Sequence, residues 1–304
     1  QRAGPRLFVC AAIHGDEING VEIIRRLLKL PILKRLRGAL VAIPIVNVHG
    51  FISHSRYLPD RRDLNRSFPG SHKGSLAARL AHLFMEDIVS VCTHGIDLHT
   101  AAQHRNNLPQ IRAYLDDAET ERLARAFSVP VILNSDLRDG SLREAAAEQG
   151  IPMLLYEAGE ALRFDEVAIR IGVKGILSVM RALDMLPQIK HAKSPYQPVV
   201  ARSSTWLRAP EGGILRNAIP LGAHVKKGDS LATIADPFGE RDVDVKAPNS
   251  GIVIGRMNLP LVNEGEALFH IARFHQADEV AATIEALQSE LADEDRHYPD
   301  QGLT

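Results

Sequence analysis

The sequence predicts an α/β protein in which helices flank a mixed, largely parallel sheet, followed by a small β barrel or sandwich. Apolar segments rich in β-branched residues alternate with amphipathic segments as far as residue 185, an order typical of sheets covered by helices. After the polar stretch KSPYQP, the chain continues as short β-like runs separated by Gly, Pro and Asp. These runs repeat at a spacing of 37 or 38 residues, which indicates two similar β units.

The elements of the first part follow from periodicity. Apolar runs predict strands at 6–13, 39–46, 95–99, 111–115, 129–133 and 152–159. Helical spacing predicts a helix containing Ile18, Val21, Ile24, Leu27 and Leu28, and further helices at 75–90, 117–127, 141–149 and 163–185. Ser141 is expected to cap its helix. Segment 47–75 has no period and is too long for an idle connection, so it is predicted to be a functional loop.

The second part is defined by its internal repeat. APEGGIL at 209–215 recurs as APNSGIV at 247–253, and HVKKGDSLATI at 224–234 recurs as LVNEGEALFHI at 261–271. We therefore expect an α/β domain at 1–192, a β domain at 200–273, and a terminal helix and tail at 274–304, with the charged helix itself at 276–294.

Composition limits the function. The 304 residues are 45% hydrophobic and 24% charged, with a formal net charge of −1, which argues against a broad basic face for nucleic acid. Cys10 and Cys92 lie in apolar stretches and are expected to be buried, reduced thiols. We see no run long enough for a membrane span and no signal peptide at the start, so a cytoplasmic location is expected. Assembly into homo-oligomers is compatible with this composition.

Two histidines and one glutamate are candidate metal ligands. His14 and Glu17 stand three residues apart in the loop HGDE between a strand and a helix, and His99 ends a later strand. Two imidazoles and a carboxylate suit Zn²⁺ with one open position for water. Asp97 lies on the same strand face as His99 and is expected to orient it. Taken alone, each histidine could equally be a structural residue bonded to its surroundings.

Two further segments contain charged residues that are candidates for substrate binding or catalysis. The loop from Arg56 to Arg66 combines arginines and aspartates around Asn65; it could be a solvated loop, but arginine also binds carboxylates with two parallel hydrogen bonds. Glu157 closes the apolar strand IPMLLYE, where solvent contact is unexpected. This glutamate is either a general base or a strand-end residue paired with an arginine.

Together these motifs resemble one family. HGDE, DLNRSFPG, IDLHT and YEAGE, in this order, are similar to the succinylglutamate desuccinylase and aspartoacylase family of the zinc carboxypeptidase-like superfamily. The resemblance implies the fold of that superfamily, one Zn²⁺ per chain, and hydrolysis of a small N-acylated amino acid or related amine. It implies the following roles: His14, Glu17 and His99 as zinc ligands, Glu157 as catalytic carboxylate, Arg56 as carbonyl-polarising group, and Asn65 with Arg66 as carboxylate-binding residues.

The sequence leaves several alternatives open. Arg105 and Arg112 follow the His99 strand and are candidates for binding substrate charge, or else surface arginines. A peptide-cleaving metallocarboxypeptidase and an inactive binding module are competing functions. The repeat at 200–273 resembles the barrel-sandwich fold of biotinyl and lipoyl domains, but Lys246 lies outside the hairpin tip where those domains carry their modified lysine. We therefore expect no biotin or lipoate, and a structural or substrate-lid role for this domain.

Overall fold

A computed structural model describes residues 3–188, 198–201 and 203–274. The helices are α1 (Asn19–Lys29), α2 (Val48–Ile52), α3 (Leu76–Phe84), α4 (Ala118–Phe127), α5 (Leu142–Glu148) and α6 (Glu166–Ala182). The strands of the first part are β1 (Arg6–Ala11), β2 (Ala39–Ile43), β3 (His94–Ala101), β4 (Arg105–Ala113), β5 (Val131–Asn134) and β6 (Met153–Glu160). Those of the second part are β7 (Val199–Ala201), β8 (Ser203–Arg208), β9 (Gly213–Asn217), β10 (His224–Val225), β11 (Ser230–Ala235), β12 (Asp242–Lys246), β13 (Gly251–Met257), β14 (Leu261–Val262) and β15 (Ala267–Arg273).

One mixed sheet of 11 strands runs through both parts of the chain. Its main path is β2-β1-β3-β6-β4-β13-β15-β8, with β5 and β7 extending from β4 and β10 beside β13. Strands β2, β1, β3 and β6 are mutually parallel, whereas β4 is antiparallel to β6. The predicted class, a mixed α/β sheet with flanking helices followed by antiparallel β structure, is confirmed.

The two faces of the sheet bury different side chains because successive strand residues point to opposite sides. Leu98, Tyr156 and Ile111 lie in register on one face and pack with buried residues of α1, α4 and α6. Phe8 and Cys10 point to the other face and pack with residues of α3 and α5. The carboxyl ends of β1, β3 and β6 meet at one edge, where ligands bind in sheets of this kind.

The repeat in the second part forms two interlocked units. In each unit a strand, a two-residue strand and a further strand follow one another: β9, β10 and β11, then β13, β14 and β15. The short strands are exchanged, since β10 pairs with β13 and β14 pairs with β9. Equivalent residues of both units, such as Leu231 and Leu268, share one buried core. The two halves of the repeat therefore stabilise each other directly.

Sequence and structure differ at several boundaries. Strand β4 was expected at 111–115 but begins at Arg105, because its polar first half gains backbone partners from β13. The predicted helix 75–90 is α3 followed by a π-helical turn at Met85–Val89, and the loop 47–75 contains α2 and a 3₁₀ turn at Leu64–Arg66. Ser141 caps α5 as predicted, accepting a hydrogen bond from the backbone N–H of Glu144.

The remaining expectations concern the cysteines, membrane spans, the terminal helix and the domain boundaries. Cys10 and Cys92 are buried and free, as predicted. Among the described residues, the helices are all too short or too polar to cross a bilayer. The predicted helix at 276–294 and tail lie outside the described residues. Hydrogen bonds from β4 to β13 and from β5 to β7 join strands on opposite sides of the predicted linker. The domain boundaries stay a prediction.

Candidate metal and substrate site

The loop between β1 and α1 carries two of the predicted ligands into the edge of the sheet. His14 and Glu17 close a turn in which the Glu17 N–H donates to the His14 carbonyl at 3.1 Å. Gly15 lies between them against the backbone of Gly50, where an added Cβ would stand 2.0 Å from a carbonyl carbon. A side chain at this position would push the loop away from the segment 47–75. The motif therefore needs glycine for packing.

His14, Glu17 and His99 come together in a buried cluster. The His14 Nδ1 atom lies 2.7 Å from Glu17 Oε1, and the His99 Nδ1 atom lies 2.7 Å from Glu17 Oε2. All three side chains are buried, and their ligand atoms lie within 4.8 Å of one another. The Thr100 N–H also donates to Glu17 Oε2 at 3.0 Å and fixes the carboxylate.

The second nitrogen of each ring is held by an aspartate. His99 Nε2 lies 2.7 Å from Asp97 Oδ2, and His14 Nε2 lies 3.2 Å from Asp63 Oδ1. A carboxylate on one ring nitrogen fixes the tautomer and leaves the other nitrogen with a lone pair for a metal. This is the arrangement expected of metal-ligating histidines, and the sequence anticipated the Asp97 partner but not Asp63.

Charge in the cluster fits a divalent cation. Glu17, Asp63 and Asp97 bring three carboxylates to two imidazoles, and one guanidinium, Arg56, pairs with both Glu17 and Asp63 at 3.1 to 3.3 Å. With neutral rings, the groups in direct contact with the two histidines and Glu17 carry a net charge of −2 together with Glu17 itself, which is the charge that Zn²⁺ would balance. Buried charge without such a partner is costly.

Without a cation the same charges act on protons. Burial alone would raise the pKa of Glu17, but the adjacent rings of His14 and His99 hold the pKa of this carboxyl far below its ordinary value. Burial alone would lower the pKa of His99, but Asp97 and Glu17 raise the pKa of this ring well above its ordinary value. The cluster thus binds positive charge strongly, as protons or as a metal ion.

Glu157 stands beside the cluster on the neighbouring strand. It pairs in register with His99 across the parallel strands β3 and β6, so both side chains leave the same face of the sheet. The Asn107 Nδ2 atom donates to Glu157 Oε1 at 2.6 Å. The Arg112 Nε atom lies 2.6 Å from Glu157 Oε2, an ion pair whose N–H is not aligned as a hydrogen bond. Glu157 is therefore held from both oxygens.

A cleft of about 430 Å³ opens above this row of side chains. Its lining includes each predicted site residue: His14, Glu17, Arg56, Asn65, Arg66, His99, Arg105, Arg112 and Glu157. The Asn65 Oδ1 atom accepts from the backbone N–H of Leu142 at 2.9 Å, so its amide group is fixed against the start of α5. Arg105 lies 5.5 Å above the ring of Trp206. The volume is within the range of small-molecule sites.

The cleft contains more arginine than the motifs indicated. Its guanidinium groups belong to Arg56, Arg66, Arg105, Arg112, Arg138, Arg143 and Arg208. Burial, followed by the charges of Arg112 and Arg138, lowers the pKa of Arg143 to about 10. Burial and the neighbouring arginines also lower the pKa of Arg138. Mutual repulsion of this kind favours an anionic ligand.

Sequence reasoning missed Asn107, Arg138, Arg143, Trp206 and Arg208. Arg138 follows β5 in the polar stretch NSDLRDG, and the same strand-end argument that selected His99 could have indicated it. Arg143 lies in the first turn of α5, beyond that stretch. No local signal marks Trp206 and Arg208, which reach the cleft because β8 and β15 continue the sheet beyond β4. The second part of the chain therefore supplies one wall of the cleft.

Comparison with known proteins gives one consistent result. The sequence profile of the succinylglutamate desuccinylase/aspartoacylase catalytic domain matches residues 3–183. The N-alpha-acetyl-L-2,4-diaminobutyric acid deacetylase of Halomonas elongata is 26% identical over 283 residues, which cover 88% of this chain and 82% of the relative.

Solved structures show the same fold. A succinylglutamate desuccinylase from a Silicibacter species superposes with a TM-score of 0.81 at 24% identity, covering 90% of this chain and 87% of that one. The product-bound ectoine utilization protein EutE (DoeB) from Ruegeria pomeroyi gives a TM-score of 0.81 at 25% identity, covering 90% and 86% of the two chains.

Proposed function

Since this chain belongs to the succinylglutamate desuccinylase/aspartoacylase family, we propose that it is a zinc-dependent amidohydrolase that removes the acyl group from a small N-acylated amino acid or related amine. The observation that carries the proposal is the convergence of three ligand atoms within 4.8 Å in the same cleft as Glu157. The deacetylase of Halomonas elongata supports a substrate of this type.

His14, Glu17 and His99 would hold the zinc ion. The paired aspartates on the outer ring nitrogens and the two uncompensated negative charges support this set. When bound, zinc supplies a Lewis acid that acidifies water and polarises an amide carbonyl. Arg56 adds a fixed positive charge, because its guanidinium is held by Asp63 and Glu17 at the rim of the cleft. We assign Arg56 to the carbonyl oxygen as it becomes negative.

Glu157 would move the proton. One of its carboxylate oxygens takes the proton of the attacking water as the new carbon–oxygen bond forms. The same carboxyl then gives that proton to the amine nitrogen as the carbon–nitrogen bond breaks, which yields a carboxylic acid and an amine. At neutral pH the remaining acid proton passes to the amine, so the products leave as a carboxylate and an ammonium ion. Asn107 and Arg112 keep the carboxylate in one orientation, so that proton transfer needs no reorientation.

The arginines of the cleft would select an anionic substrate. We assign Asn65 and Arg66 to a substrate carboxylate, with Arg105 and Arg112 as further charge-binding groups. Holding the carboxylate fixes the scissile amide relative to Glu157 and removes orientational freedom before the reaction. Among the residues that the structure describes, the cleft lining holds seven guanidinium groups and two glutamates, and this excess of positive charge supports a ligand with at least one carboxylate.

A substrate panel tests this function. The zinc-loaded protein is assayed for amine release from N-acetyl, N-succinyl and N-aspartoyl amino acids, each with its carboxyl-amidated counterpart as a matched control. We expect turnover of at least one N-acyl amino acid with a free carboxyl group, and much weaker turnover of its carboxyl-amidated counterpart. C-terminal cleavage of peptides without deacylation would instead indicate a metallocarboxypeptidase, and binding without any turnover would indicate an inactive module. Loss of turnover on chelation and its return with Zn²⁺ test the metal.

A further inference from the structure

A second group of metal-binding side chains lies on α3 and the segment before it. The ligand atoms of His72, His82 and Glu86 lie within 4.8 Å of one another. These residues are absent from the lining of the cleft. We propose that His72, His82 and Glu86 form a second site for a divalent transition-metal cation such as Zn²⁺, on the surface of the protein.

Helical spacing places two of the ligands on one face. His82 lies in α3, and Glu86 follows four residues later in the π-helical turn. Residues at this spacing are neighbours on a helix surface. His82 Nε2 lies 3.4 Å from Glu86 Oε2, yet it is inaccessible to solvent and has no hydrogen-bond partner among the described residues. A nitrogen in this position, close to a carboxylate but not aligned with it for a hydrogen bond, is suited to a shared cation.

The third ligand is fixed by the backbone of the preceding segment. The Ser71 N–H donates to the Ala78 carbonyl at 2.9 Å, which holds the segment against α3. Gly70 has a φ of +84°, and a Cβ there would lie 2.2 Å from the Ala78 oxygen. This close approach brings the His72 ring to 3.7 Å from the His82 ring, centroid to centroid. The site is therefore arranged before a cation binds.

The donor set indicates the kind of cation. Two imidazole nitrogens and one carboxylate oxygen suit Zn²⁺ and neighbouring transition metals better than Mg²⁺ or Ca²⁺, which prefer oxygen ligands. His72 and Glu86 are exposed, so water can fill the remaining coordination positions. A cation here would fasten the segment that also carries Asn65 and Arg66 of the cleft to α3.

Zinc titration of the holoprotein tests the site. After the first equivalent is bound, Zn²⁺ is titrated by isothermal calorimetry into the wild type and the variants His72→Ala and His82→Gln. The control is His49→Ala, which removes another exposed histidine, on α2. We expect the wild type and the control to bind a second equivalent of Zn²⁺, and His72→Ala and His82→Gln to bind no second equivalent. A wild type that binds a single equivalent, or a second equivalent retained by His72→Ala, overturns the site.

Two further measurements separate this site from the cleft. The variant His14→Ala should still bind zinc at His72 and His82, whatever its activity; loss of both equivalents in this variant would contradict the assignment. Hydrogen exchange of the amides in 67–75 should slow when the second equivalent is added to the wild type and stay unchanged in His72→Ala. Equal exchange in both proteins would refute the fastening role.

Discussion

Replacing Asn107 by leucine isolates the contact that orients the proposed base. The Asn107 Nδ2 atom donates to Glu157 Oε1 at 2.6 Å, whereas its Oδ1 atom is buried without a hydrogen-bond partner among the described residues. Asn107→Leu therefore removes one useful bond, relieves one unsatisfied acceptor and keeps a side chain of similar size. Any loss of activity then reports on Glu157 rather than on folding.

The size of the effect follows from the kind of bond. A hydrogen bond to a charged group contributes about 1.5–3 kcal/mol, and each ~1.36 kcal/mol is a tenfold change in rate. Arg112 still holds the other oxygen of Glu157, so the carboxylate stays in the cleft but samples more orientations. We expect kcat to fall roughly 10- to 100-fold, with KM and zinc content unchanged.

Steady-state kinetics on the best substrate of the panel give kcat and KM, and metal analysis of the same preparation gives the zinc content. Asn106→Leu is the matched control, since Asn106 neighbours Asn107 on β4 but does not line the cleft. The variant Asn107→His, which keeps an N–H donor, should retain part of the kcat that Asn107→Leu loses. If Asn107→Leu retains wild-type kcat, or if KM rises while kcat stays constant, Asn107 does not position the base.

Three other changes test the proposed base, the support of a zinc ligand and the buried histidine of β15. Glu157→Gln should keep its zinc and lose roughly 10²- to 10⁴-fold in kcat; wild-type turnover would exclude Glu157 as the base. Asp97→Asn should weaken zinc binding about 10- to 100-fold in a chelator competition, because Asp97 holds Nε2 of His99 at 2.7 Å; unchanged affinity would contradict its orienting role. Burial, and after it the charges of Arg112 and Arg138, lower the pKa of His270 to about 3 from 6.5. Between these two pH values the unfolded chain takes up a proton that the folded chain does not, so stability falls as the pH falls through this window. From this residue we expect the free energy of unfolding, measured in urea, to fall by about 2 kcal/mol between pH 8 and pH 5. In His270→Phe, whose ring can still stack on Trp206, the fall over the same pH range should be smaller by that amount. An equal pH dependence of both proteins would refute this account.

Local rules predicted the centre of the site well. The period of two placed Asp97 and His99 on one face, and the parallel order of strands brought their ends to one edge. In the structure this becomes the register pair of His99 and Glu157. Helix starts were equally readable, because capping by Ser141 depends on a residue type at a fixed position.

The outer wall of the cleft was not predictable in the same way. Asn107 faces the cleft because β4 pairs with β13, in which Gly255 leaves room beside it. That pairing joins residues far apart in the chain, and no local pattern encodes it. The polar first half of β4 has the composition of a loop, so its strand character depends on a partner that the sequence does not reveal locally.

The pairing of β4 with β13 makes the two parts of the chain a single mechanical unit. A substrate cannot enter by a hinge between them without breaking backbone hydrogen bonds, so access depends on the loops at the rim. Deleting residues 198–274 would expose the edges of β4 and β5, with their unpaired N–H and C=O groups. We expect such a truncated chain to aggregate, and the intact chain to unfold in a single cooperative transition.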